Sequence, residues 1–411
     1  MSYKYKERVT RLSKDNLYMA LALWMEEFPY FQEEDDGCKG VGVVFVLPND
    51  RVLSVDCSRD GVHGIARVIV KHCADRVEGC KVFVSRKPCS ICAKLLVQAR
   101  VLRVFYLPIM PEKEEDLANV DRLFNASPVA QSMFVPHVGE SLLDKIMERE
   151  SLEDADFINS CQKEIFNKWW DKDSVTLDPL DENMKQQIEG DFDLLMKWIA
   201  SIKTPVYKAE MKFYNVDFKG DDLGVIHNAE VTEFPGGDVA KHMMVFAKML
   251  ARQTDDPKTG VGAILMDKLK KEIVGLGWNG FPSKALYAEF PRASDKDASD
   301  KDTSDKDTSD KDTSDTSTRE KKYPFVIHAE QNALMVRNEK DLKDGILFVT
   351  KCPCNECAPL VKLSGVETIV VGEHLEDRKE GDSALNYDKV RKYVKDGELQ
   401  CIEMRKGDAS E

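Results

Sequence analysis

The triplet His328-Ala329-Glu330 is followed, further along the chain, by Pro353-Cys354-Asn355-Glu356-Cys357. An imidazole and two thiols are zinc donors, and a carboxylate two residues beyond a ligand can carry protons. Cysteines three apart at a helix start share a face and can grip one ion. The positive end of the helix favours their thiolates. His328, Cys354 and Cys357 make three protein ligands and leave a fourth tetrahedral position to water, which marks a catalytic rather than a structural site. Zinc makes such a water acidic near neutral pH. The water could attack an amidine carbon bearing an exocyclic amine, such as C4 of cytosine, with Glu330 serving first as base and then as acid. The competing reading is a closed zinc knuckle. That would need a fourth ligand, and Cys352 lies two residues from Cys354 and before the proline, so it should point elsewhere.

These residues need a frame. Residues 238–252 read as a helix with Asp238 as its N-cap. Residues 261–266 and 272–277 read as a hairpin, 328–338 as a helix and 346–350 as a strand. A helix over 354–363, a strand over 366–371 and a helix over 383–394 complete the pattern. The first part of the chain alternates in the same way. Strands are expected at 41–47, 52–55, 80–85 and 101–107, and helices at 63–74 and 88–98. The alternation implies α/β, three-layer α/β/α domains, each with a mixed central sheet. Residues 136–225 are mostly charged, with the pair Trp169-Trp170 and an amphipathic stretch at 191–202. They read as a helical connector in which the tryptophans pack rather than bind.

The two α/β regions repeat one another. His63 precedes Cys89 by 26 residues, as His328 precedes Cys354 (89 − 63 = 354 − 328 = 26). Pro88-Cys89-Ser90-Ile91-Cys92-Ala93 mirrors Pro353-Cys354-Asn355-Glu356-Cys357-Ala358, and Phe-Val precedes both. The first copy keeps the ligand types His63, Cys89 and Cys92 but has Ile65 where the carboxylate belongs. It should bind a second zinc yet not catalyse, because losing the general acid/base alone forfeits about 10²–10⁴ in rate. Two uses remain open for it: a zinc-stabilised structural domain, or a nucleotide pocket kept for regulation or to complete a neighbouring chain's site.

His-x-Glu with Pro-Cys-x-x-Cys is the signature of zinc nucleobase deaminases. Residues 238–394 resemble the deoxycytidylate deaminase family in three further stretches. These are Asp256-Pro257-Lys258-Thr259-Gly260-Val261-Gly262-Ala263, Gly277-Trp278-Asn279-Gly280-Phe281-Pro282, and Gln331-Asn332-Ala333 after the His-Ala-Glu. Trp278 departs from the tyrosine usual there. The resemblance implies that Asn279 contacts the substrate sugar. The competing reading of Asn279 is a turn former. Arg252 and Lys258 are the cations best placed for a phosphate, with solvated surface charge as the alternative. Tyr387 and Lys389 lie where relatives close the pocket. A tandem with a defective copy first resembles the animal cytidine and dCMP deaminase domain-containing proteins, over nearly the whole chain. That likeness implies a free deoxycytidine nucleotide as substrate, dCTP giving dUTP, with dCMP to dUMP as the alternative. It also implies a homo-oligomer, a trimer or hexamer. The layout expected is a degenerate domain at 1–135, the connector at 136–225 and a catalytic domain at 226–411.

Composition narrows the partners. The chain has 411 residues and a formal charge of −14, a poor start for a polynucleotide binder, since Lys and Arg supply most non-specific affinity. An editor of RNA or DNA would want a basic groove with stacking aromatics, and aromatic content is 8%. The first ten residues, MSYKYKERVT, contain no apolar core of a secretory signal, and no run is long enough to span a membrane. Eleven cysteines, an odd number, point to reduced thiols in cytosol or nucleus, some of them metal ligands. Residues 294–318 repeat an SDKDT-like unit with nine Asp and four Lys. They can bury nothing, so 293–320 is expected to be a disordered loop insertion.

Overall fold

The computed structural model describes residues 11–29, 40–149, 155–170, 180–214, 236–254, 256, 259–282, 325–373 and 386–406. The insertion at 293–320 lies outside the described residues. These divide into two compact units: the residues up to Glu210 with 236–249 and Lys406, and residues 211–214 with 250–405.

In the first unit, helix α1 (Lys14–Met25) is buried without a break from Leu17 to Met25. Ser13 caps it, its Oγ accepting from the N–H of Asn16. Strands β1 (Gly42–Val46) and β2 (Val52–Cys57) form an antiparallel hairpin. They are followed by α2 (Gly64–Val77), β3 (Lys81–Val84), α3 (Ser90–Gln98), β4 (Arg103–Tyr106), α4 (Leu117–Asn125) and β5 (Ala130–Met133). The sheet order is β2-β1-β3-β4-β5, with β1 antiparallel to β2 and β3 and the rest parallel. Val43, Phe45, Val82 and Val84 share a core with Ile65 and Val68 of α2 and Leu96 of α3. The two-residue period of a strand sends Val44 and Phe83 to the other face. There the ring of Tyr18 in α1 lies 5.5 Å from that of Phe83. Gly42 permits this layering: a Cβ on it would stand 2.0 Å from the carbonyl oxygen of Ala22.

Helices α5 (Glu140–Arg149), α6 (Ala155–Trp169) and α7 (Glu182–Tyr207) come from the stretch read as a connector, and they cluster with this first unit. Trp169 and Trp170 are both buried, as packing residues are. The stretch is not helical throughout, because Ala209–Tyr214 forms strand β6.

Helix α8 (Gly236–Ala251) begins two residues before the expected cap, so Asp238 sits inside the first turn, where its charge meets the helix dipole. Up to Met249 this helix belongs to the first unit; besides β6 the second unit comprises β7 (Gly262–Asp267), β8 (Glu272–Trp278), α9 (Ala329–Val336), β9 (Gly345–Val349), α10 (Cys357–Leu363), β10 (Val366–Val371), α11 (Asp388–Lys395) and β11 (Gln400–Lys406). Its sheet runs β6-β11-β10-β9-β7-β8. Strands β7 to β11 repeat the order and directions of β1 to β5: an antiparallel hairpin, an antiparallel step to β9, then parallel β10 and β11. Leu265, Leu347, Val349 and Ile369 pack with Ala329 and Ala333 of α9, Val361 of α10 and Val390 of α11. Both units are thus α/β with mixed sheets. Among the described residues no helix is long and apolar enough to cross a membrane, and each described cysteine is a free thiol.

Candidate metal centres

His328 is the N-cap of α9, in extended backbone (φ −75°, ψ 156°), and its N–H donates to Oε1 of Gln331 at 3.0 Å. That cap holds the imidazole at the start of the helix. Its Nδ1 lies 3.2 Å from Sγ of Cys357 and 3.4 Å from Sγ of Cys354. Helix α9 can lie this close to the sheet because β8 carries Gly277. A Cβ there would stand 2.6 Å from the carbonyl oxygen of Ala329. The expected helix over 354–363 begins only at Cys357, so Cys354 belongs to the turn before it. The N–H groups of Cys357 and Ala358 both donate to the Cys354 carbonyl, at 3.0 and 2.9 Å. Cys352 is buried apart from this cluster, its thiol donating to the Pro353 carbonyl.

Two touching, buried thiols do not both ionise unaided. Hydrogen bonding from Cys357, then His328, draws Cys354 down to about 4, while the same contact and burial push Cys357 far up. A cation between them removes the conflict. The three donor atoms lie within 4.8 Å of one another. The nitrogen-to-sulfur distances match the edge of about 3.5 Å that a tetrahedral zinc with ordinary bond lengths requires. Glu330, 4% exposed, stands beside them, and burial raises its carboxyl to about 7.

Asn279 follows β8 and is buried. Its Oδ1 accepts from the N–H of Val261 at 2.7 Å, and its Nδ2 donates to the Thr259 carbonyl at 2.8 Å and to Oδ2 of Asp256 at 3.5 Å. Its own carbonyl accepts from the Thr254 hydroxyl at 2.8 Å. The side chain therefore ties down the loop before β7, which the spacing of the motif did not reveal. Tyr387 is buried in the core of the second unit. The Asn386 carbonyl accepts from the N–H of Asn355 at 2.7 Å, and the N–H of Lys389 donates to Oδ1 of Asn355 at 2.8 Å. These bonds pin the start of α11 to the cysteine turn. Arg252, partly buried, follows α8. Lys258 lies outside the described residues.

The first unit repeats the arrangement. His63 caps α2 and Cys89 caps α3. The Nδ1 of His63 lies 3.4 Å from both Cys89 Sγ and Cys92 Sγ. Cys89 is drawn down to about 4 by Cys92, then by His63, and Cys92 is pushed up. Ile65, in the Glu330 position, is fully buried among apolar neighbours. A fourth donor appears that sequence reasoning missed. Glu112, from the loop after β4, places Oε1 2.7 Å from His63 Nδ1. Its Oε2 accepts from the N–H of Cys89 at 2.6 Å. His63, Cys89, Cys92 and Glu112 form one group of candidate ligands.

Residues 238–373 match the sequence model of a family described as the cytidine and deoxycytidylate deaminase zinc-binding region. The deoxycytidylate deaminase of Pongo abelii is 34% identical over 35% of this chain and 70% of its own length. The chain belongs to the cytidine and deoxycytidylate deaminase family. A Danio rerio relative named cytidine and dCMP deaminase domain-containing protein 1 is 28% identical over 93% of this chain and 89% of its own. A solved dCMP deaminase of cyanophage S-TIM5, in complex with dCMP and dUMP, is 22% identical. It covers 41% of this chain and 97% of that one, with a TM-score of 0.28.

As a member of this zinc-binding family the chain has a metal to match its donors, and it carries two candidate sites for it. The structure brings together His328, Cys354, Cys357 and Glu330 in one unit and His63, Cys89 and Cys92 in the other. Asn279 it gives to the loop that runs into β7. Glu112 escaped notice because it sits in the charged run Pro111-Glu112-Lys113-Glu114-Glu115-Asp116, where spacing singles out no carboxylate.

Proposed function

We propose that the chain is a hydrolytic deaminase of a free deoxycytidine nucleotide, working through the C-terminal copy. The observation that carries this is Glu330, a buried carboxylate with its pKa raised to about 7, standing beside a His-Cys-Cys zinc donor set. When bound, zinc supplies the Lewis acidity that makes water nucleophilic at neutral pH. Glu330 takes a proton from the attacking water and passes one to the pyrimidine ring nitrogen. It then protonates the departing amine, so that C4 gains oxygen and ammonia leaves. A carboxyl near pH 7 suits both roles, since neither protonation state is costly to reach. The cap on His328 and the turn carbonyl of Cys354 hold the donors in place while this happens.

In this reading Asn279, having one lone pair of Oδ1 left among its described contacts, meets the sugar. Arg252 and Lys258 face the phosphates, with Tyr387 closing the pocket. Of the two nucleotides, dCTP is the reading implied by the tandem organisation with a defective copy first; dCMP is the second reading, after the deoxycytidylate deaminases to which the chain is similar. The working copy lies within 226–411, the degenerate copy within 1–135. A homo-oligomer, trimer or hexamer, goes with the same resemblance, and sedimentation of the purified chain would count its subunits.

The test is to incubate the full chain with dCMP, dCDP, dCTP, CTP and single-stranded DNA, and to weigh the uracil products by mass spectrometry beside Glu330→Gln. Product from a free deoxycytidine nucleotide is expected, lost in the variant. No product from any free nucleotide refutes the reading, and conversion of dCMP but not dCTP refutes the triphosphate assignment.

A further inference from the structure

We propose that Glu112 is the fourth protein ligand of a zinc ion in the N-terminal copy, closing the position that the catalytic copy leaves to water. Glu112 is 1% exposed and comes from the loop beyond β4, an element separate from the two that carry His63 and the cysteines. A carboxylate in so dry a place needs a cation or a full set of hydrogen bonds. One N–H, from Cys89, reaches its Oε2. Its Oε1 meets His63 Nδ1 at 2.7 Å and lies 4.0 Å from Cys92 Sγ.

That same Nδ1 also faces two sulfurs at 3.4 Å. A single ring N–H cannot serve three acceptors in three directions, whereas one cation at their centre serves all four donors. The edges of a tetrahedral zinc site with one nitrogen, one oxygen and two sulfurs fall between about 3.3 and 3.8 Å. The two nitrogen-to-sulfur separations of 3.4 Å fall within it, while the Glu112 oxygen stands nearer the His63 nitrogen, at 2.7 Å, and farther from the Cys92 sulfur, at 4.0 Å, so an ion would draw it a short way toward the sulfur. The bond from Cys89 N–H to the second oxygen fixes the carboxylate with one oxygen turned to the metal, as outer partners of metal ligands do.

The consequence is chemical. With four protein ligands there is no place for water, and Ile65 removes the proton carrier as well. Restoring a carboxylate at position 65 would not restore deamination. The centre instead pins the loop after β4 to the starts of α2 and α3, so its metal is a folding element.

The experiment uses the full chain and reads metal, so it stands apart from the deaminase assignment. Zinc per chain is measured by mass spectrometry during a chelator challenge, and cobalt-substituted protein is examined by absorption. Two zinc ions per chain are expected, with Glu112→Ala releasing one of them at least about tenfold faster, the loss usual even for partners outside the ligand set. Glu112→Cys keeps the ion and adds a third thiolate to the cobalt charge-transfer band, an effect that a merely hydrogen-bonding Glu112 would not produce. One zinc per chain in the unaltered protein, unchanged release in Glu112→Ala, or an unaltered band in Glu112→Cys would each overturn the proposal. So would uracil formation by Ile65→Glu in a Glu330→Gln background. A failed substrate screen with two zinc ions bound would count against the proposed function alone.

Discussion

The two copies hold a histidine and two cysteines in nearly the same geometry, 3.4 and 3.4 Å from nitrogen to sulfur in one and 3.4 and 3.2 Å in the other. They differ in where the carboxylate comes from. Glu330 belongs to the same helix as its histidine ligand and stands beside the metal position. Glu112 arrives from the loop after the neighbouring strand β4 and enters the position itself. The same three donors can thus frame a reaction or close a structural knot, and the decision lies outside them. Sidedness of the carboxylate matters more than its presence, since each copy has one.

The sharpest way to break this comparison is at Glu330. Replacing it with Gln keeps shape and burial but removes the proton carrier. The expected loss in kcat/KM is about 10²–10⁴, with zinc content unchanged at two per chain. If zinc were lost together with activity, Glu330 would be holding the metal rather than moving protons, and the contrast with Glu112 would fail.

Next in size is Gly277→Val. Its Cβ would press on the Ala329 carbonyl and the Ala333 N–H, 2.6 Å away. Helix α9 must then lift from β8, at a cost of about 1–3 kcal/mol. The C-terminal zinc should leave more readily in a chelator challenge while the N-terminal one stays. Equal weakening of both sites would contradict the separate framing of the two centres.

Much of this was legible in the residues, for physical reasons. Ligand spacing survives in a sequence because a cap and a turn fix their side chains locally. The two copies could be aligned because the offset of 265 holds from His63 and His328 through Cys92 and Cys357. Helix α1 escaped because it is apolar on every side, from Leu17 to Met25, so it has no amphipathic period to read. Strand β11 escaped because it is buried on both faces with the charged Glu403 among its buried residues, which leaves Cys401-Ile402 as its longest apolar run. Glu112 is a ligand candidate only because parallel β3 and β4 carry their following loops to the same end of the sheet, and register of that kind is a property of the folded chain. Asn279 carried a resemblance to a sugar contact, while its loop bonds became visible only in three dimensions.

That last point can be tested at about the same scale as Gly277. Asn279→Ala leaves the N–H of Val261 and the carbonyl of Thr259 without their partner. A buried group left unpaired costs about 1–3 kcal/mol. The urea midpoint of the second unit, measured without nucleotide, should fall. A variant with full stability and a raised KM alone would make Asn279 a substrate contact and nothing more.

The smallest effect near neutral pH belongs to His242, which sharpens the comparison by separating the units through acid rather than metal. Its ring stacks on Trp24 at 4.8 Å, fully buried in the first unit, and among the described residues neither ring nitrogen has a hydrogen-bond partner. Burial, with Lys203 adding to it, lowers its pKa from 6.5 to about 3. Between those values the unfolded chain takes a proton that the folded chain refuses. Stability is therefore unaffected by this group above pH 6.5 and is lost as pH falls toward 3, by at most about 1.4 kcal/mol per pH unit. His242→Phe keeps the ring and the backbone carbonyl that accepts from Trp24 Nε1. Thermal melts of the two proteins should diverge steadily on acidification from pH 6.5, the phenylalanine variant holding its first unit longer. Parallel melting temperatures down to pH 5 would mean that the imidazole is charged in the folded chain, and acid would then unfold the first unit by freeing the ligands of its metal instead.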